Sequence, residues 1–85
     1  MSEELEILKK KLLYRASYRG TKEMDLLLSS FVKAHVNMFN NEQLKELETF
    51  LKFEDETILN YFNHNIGDGK IENNNISKIF KNFKV

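Results

Sequence analysis

Apolar residues recur along this chain every three or four positions, and no stretch alternates in the two-residue rhythm of a strand. Leu5, Leu8, Leu12 and Ala16 form a first stripe, with Ser2 placed to cap it and Glu3 and Glu4 in the favourable first turn. The most apolar stripe follows as Met24, Leu27, Leu28, Phe31, His35 and Met38, flanked by Leu26, Val32 and Phe39. Leu44, Leu47, Phe50 and Leu51 make a third, and Ile58, Leu59 and Phe62 a fourth. The segment from Asn65 to Asn75 reads as a polar loop with a turn at Gly67-Asp68-Gly69. Ile76, Ile79, Phe80 and Phe83 then make a last stripe. The pattern predicts an all-α fold: a compact single-domain bundle of about five short helices over residues 1–85.

The breaks between stripes carry their own signals. Gly20 ends the first helix as a residue suited to the left-handed conformation. It alternatively caps the second, with Glu23 reaching back to its amide, and Thr21 is the rival cap. Asn40 and Gln43 fit a capping box, and Asp55 is a good cap for the fourth helix.

Composition narrows the function. Eighty-five residues support one small core, which argues against a deep pocket with its own chemistry. Thirteen basic and thirteen acidic residues cancel, which argues against nucleic-acid binding by phosphate neutralisation. The chain has no cysteine, so disulfides and thiolate metal sites are excluded. No apolar run reaches the ~18–20 residues needed to span a bilayer, so no membrane insertion is expected. The acidic start lacks a signal or transit pattern, and a soluble cytoplasmic protein is the expectation.

Sites with familiar chemistry are missing. His35 and His64 lie far apart with no further ligand at a metal-binding spacing, and Asp68-Gly69 lacks the rest of a calcium loop. Nothing in the spacing brings a histidine to Ser17, Ser29, Ser30 or Ser77, so no catalytic residue is assigned. A helix-turn-helix at Gly20 would need base-reading side chains, and the second helix offers Lys22 alone. What stands out is Tyr14 to Asp25. It holds both arginines, Arg15 and Arg19, in a chain otherwise committed to lysine, interleaved with Tyr14 and Tyr18. Arginine's flat fork of donors and tyrosine's amphipathic ring are the side chains favoured at protein interfaces.

These residues also carry a resemblance. Leu12-Leu13-Tyr14-Arg15, then Arg19-Gly20-Thr21-Lys22-Glu23-Met24-Asp25 with the Leu26–Leu28 triplet, resembles the signature of the FAD assembly factor family of the SdhE type. The mitochondrial members of that family are succinate dehydrogenase assembly factors. Glu54-Asp55 before Leu59 and Tyr61 resembles the family's second landmark, with Tyr61 where most members have Trp. The resemblance implies a non-enzymatic maturation factor, bacterial and cytoplasmic, that binds the flavoprotein subunit of succinate dehydrogenase and, in some bacteria, of fumarate reductase. A histidine of that subunit is then joined covalently to FAD, and the factor itself holds no stable cofactor. The partner-binding residues it implies are Arg19, Gly20 and Glu23, with Arg15, Tyr14, Asp25 and Asp55 as neighbours. A monomer is expected, with aromatic surface suited to weak self-association.

Overall fold

Six helices form among the described residues, with no strand, and each stripe of the sequence contributes buried residues to one of them, though in the fourth Tyr61 is buried with Ile58 while Leu59 and Phe62 are half-buried. The structure is a computed structural model, and it describes residues 3–67 and 69–83. The helices are α1 (Glu3–Ser17), α2 (Lys22–His35), α3 (Asn41–Leu51), α4 (Asp55–His64), α5 (Gly69–Asn73) and α6 (Asn75–Lys81). The proposed caps at Ser2 and the turn residue Asp68 lie outside the described residues.

The core is aromatic and centres on Phe31 of α2. Its ring meets Phe80 of α6 edge-on at 5.1 Å, Phe83 at 5.3 Å and Phe50 of α3 at 6.4 Å between centroids. Leu12 and Ala16 of α1, Met24, Leu28 and Val32 of α2, Leu44 and Leu47 of α3 and Ile58 of α4 complete the interior. Leu5, Leu8 and Leu27 pack against it half-buried. His35 sits at its edge among Phe31, Phe39 and Phe83. Its Nδ1 donates to the Phe31 carbonyl at 2.9 Å, which fixes the ring against its neighbours.

Four expectations need correction. The second helix stops at His35 and does not reach Met38. Met38 N–H tightens back to the His35 carbonyl, which turns the chain so that Phe39 returns to Phe31 while Met38 stays exposed. The 65–75 segment is not simply a loop. Asn65 ends α4 in the left-handed conformation, and Ile71 of α5 is fully buried beside Ile76, which brings the count to six helices. Gly67 allows that turn to close: a Cβ there would lie 2.5 Å from Ile71 Cγ2 and 3.0 Å from Tyr61 Cδ1. Gly20 does not adopt a positive φ, and Thr21 is the cap of α2, its Oγ1 accepting from Met24 N–H. Finally, the cap position of α4 falls to Glu54, which makes no side-chain capping bond, while Asp55 is the first helical residue and faces elsewhere.

Candidate functional site: the arginine corner

Asp55 faces the turn between α1 and α2. Its Oδ1 accepts from Arg19 Nε at 2.7 Å and its Oδ2 from the Gly20 amide at 2.8 Å. The rest of the Arg19 fork is also used. Nη1 donates to the Leu51 carbonyl at 2.7 Å and Nη2 to the Phe53 carbonyl at 2.9 Å. The Arg19 amide donates to the Asp25 carboxylate. Two corners of the chain, α1–α2 and α3–α4, are thus braced together by one side chain that is only 10% exposed.

The signs of the charges suit the helix ends. Arg19 brings a cation to the C-terminus of α3, where unpaired carbonyls carry partial negative charge. Asp55 places an anion at the N-terminus of α4, and Glu23 and Asp25 do the same in the first turn of α2. Charge-assisted bonds of this kind contribute about 1.5–3 kcal/mol each when formed in place of water contacts.

The remaining candidates point outward. Tyr14 and Tyr18 are 63% and 71% exposed, and their rings lie 4.5 Å apart at 40°, a tilted pair on the α1 surface. Leu26 of α2 is exposed as well. Glu23, in the first turn of α2, is exposed. Arg15 reaches Glu48 of α3 only at 4.0 Å, and its side chain is 37% exposed. The candidate residues therefore divide. Arg19, Gly20, Asp25 and Asp55 are joined in one internal network, whereas Tyr14, Tyr18 and Glu23 face solvent, with Arg15 between.

Two features of this geometry are not legible in the pattern of side chains along the chain. The acceptors of Arg19 are backbone carbonyls, which no side-chain pattern announces. The second is a polar network at the start of α6, centred on the buried Asn74. Asn74 caps that helix through Ile76 N–H and Ser77 N–H, and its own amide donates to the Glu46 carbonyl at 3.1 Å. The Glu46 carboxylate takes Asn75 N–H and Nδ2, both at 3.2 Å. The signal was the Asn73-Asn74-Asn75 run, which reads as loop unless its cap is recognised.

These features define a small all-α domain with a cross-braced arginine corner and an exposed tyrosine pair. The chain belongs to the family described as flavinator of succinate dehydrogenase, whose model matches residues 10–84. It is 49% identical over 49 residues to succinate dehydrogenase assembly factor 2-B, mitochondrial, of Drosophila simulans, covering 58% of this chain and 31% of the relative. It is 40% identical over 58 residues to succinate dehydrogenase assembly factor 2, mitochondrial, of Dictyostelium discoideum, covering 68% and 41%. The protein of that name from Aspergillus flavus is 41% identical over 49 residues, covering 58% and 17%. The chain thus spans less than half the length of these curated relatives. All three are named as mitochondrial and come from eukaryotes, which overturns the expectation of a bacterial cytoplasmic protein.

Proposed function

We propose that this chain binds the flavoprotein subunit of succinate dehydrogenase and promotes covalent attachment of FAD to it, without catalysing the reaction itself. The observation that carries the proposal is the family match over residues 10–84. The geometry supports it in kind. A braced corner flanked by an exposed aromatic pair is suited to holding a partner in one arrangement, and holding reacting groups in place removes several kcal/mol from a barrier, roughly 7–11 at the extreme. On this reading FAD is held by the flavoprotein, and the reacting histidine is the flavoprotein's own.

The test is flavin fluorescence in a denaturing gel. The flavoprotein subunit is expressed in a host lacking its own factor, with and without this chain. A covalent flavin band that appears or strengthens with the chain supports the proposal. Equal bands, with the chain folded and co-expressed, would sink it for that subunit. A pull-down from the same cells that captured some other protein would then favour a general helical adaptor.

A further inference from the structure

We infer that Arg19 and Asp55 are positioning residues: they lock the α1–α2 corner onto the α3–α4 corner, and the Arg19 guanidinium does not itself touch the partner. This rests on the proposed function for the identity of the partner, and on the geometry of the free chain for the lock.

Three observations carry it. All three nitrogens of the Arg19 guanidinium donate inside the chain, to Asp55, Leu51 and Phe53, and the side chain is 10% exposed. Turning that fork toward a partner would break three charge-assisted bonds and leave Asp55 without its cation. Second, Asp55 spends both oxygens at the corner, one on Arg19 and one on the Gly20 amide. A carboxylate so engaged fixes the path of the backbone between α1 and α2. Third, a Cβ at Gly20 would lie 3.0 Å from Asp55 Oδ2, so the glycine makes room for the lock. The arginine in a lysine-rich chain is thereby explained from within. A lysine ammonium is a point donor and cannot serve three acceptors spread around a planar fork. The residues left to meet the partner are Glu23, Tyr14 and Tyr18, held where the lock presents them.

The lock is testable in the free protein because the chain has two arginines only, Arg15 and Arg19. Phenylglyoxal modifies accessible guanidinium groups, and peptide mass spectrometry reports each site separately. Arg19 should react about tenfold or more slowly than Arg15, because reaction requires opening bonds of the charged class. Asp55→Asn, which leaves an amide where an anion took two donors, should raise the Arg19 rate toward that of Arg15. Equal rates in the unmodified chain would overturn the lock.

The positioning role is tested by affinity for the flavoprotein subunit across Arg19→Ala, Asp55→Ala and the double variant, with circular dichroism confirming the folded state. If both act through one lock, the double variant binds no more weakly than the worse single one, within about twofold. Fold-changes that multiply would mean independent contacts and overturn the inference. Arg19→Lys keeps charge and reach, and should bind as poorly as Arg19→Ala; wild-type affinity there would show that the partner reads the charge directly. Glu23→Ala should weaken binding with Arg19 still protected. A flavoprotein that does not bind the unmodified chain at all sinks the proposed function, and with it the positioning role, while the reagent rates still decide the lock.

Discussion

Gly20 is small on behalf of a neighbour, and the sequence could not show which neighbour. A glycine after a helix suggests a left-handed backbone, yet no glycine here has positive φ; the constraint is the Asp55 carboxylate, 35 positions away and 3.0 Å from where a Cβ would stand. Gly20→Ala should therefore destabilise by about 1–3 kcal/mol by displacing that carboxylate. On an Asp55→Ala background the same change should become a gain of up to about 1 kcal/mol, because alanine then only restricts the unfolded chain. Thermal unfolding of the four proteins checks this, at about 4–8 °C per kcal/mol for a domain of this size. A cost that persists without Asp55 would place the constraint in the backbone after all. Ser77 presents the opposite case. It is fully buried in α6, and its hydroxyl has no hydrogen-bond partner among the described residues. An orphaned hydroxyl in a core costs about 1–3 kcal/mol, so Ser77→Ala should raise the urea midpoint, with a net gain of about 1 kcal/mol after the lost packing. A lowered midpoint would show that the hydroxyl is satisfied in solution.

At the scale of elements, what the sequence revealed depended on how local the determinant was. The Asn40–Gln43 capping box is visible in four consecutive residues and forms as expected, each side chain on the other's backbone amide at 2.9 Å. The buried face of α3, Leu44, Leu47, Phe50 and Leu51, follows from its period alone. By contrast α5 is five residues long, too short for a periodic signature, and exists because Ile71 finds the core. Asp55 looked like a cap because its local context fits one, but a tertiary partner, Arg19, takes its side chain instead. The start of α6 depends on α3 in the same way, since Asn74 and Asn75 bond to Glu46. This ranks the caps. Asn40→Ala exposes amides to water and should cost about 0.5–1 kcal/mol, the low end for a cap. Asn74→Ala removes a buried cap together with a link between helices and should cost about 2 kcal/mol or more. Paired denaturation curves test the order, and equal costs would mean that α6 is held by its apolar face alone.

For the molecule as a whole, the aromatic residues divide into an inner set and an outer pair. All seven Phe lie in the core or packed against it, and Tyr61 is buried with Lys81 Nζ over its ring at 5.3 Å. Tyr14 and Tyr18 alone among the aromatic residues are left exposed. A chain with a radius of gyration of 12.2 Å has little interior to spare, so two large rings kept outside at one corner are costly in solubility unless a partner covers them. Family membership identifies the setting, and under the proposed function the outer rings would meet the partner while the inner ones hold the fold. Phe31→Ala should cost about 3–5 kcal/mol and leave little folded protein, since its ring joins α2, α3 and α6. Tyr14→Ala with Tyr18→Ala should change stability by no more than about 0.5 kcal/mol per site, as substitutions at exposed positions usually do. The same pair should lower affinity for the flavoprotein about tenfold or more, because exposed aromatics at a protein interface commonly exceed 1 kcal/mol each. Unfolding curves and affinity measured on the same preparations separate the two effects. If the double tyrosine variant bound as tightly as the unmodified chain, recognition would have to rest on Glu23 and the other faces of the bundle. If it unfolded, the pair would be bracing α1, and the inner and outer rings would not be divided by task.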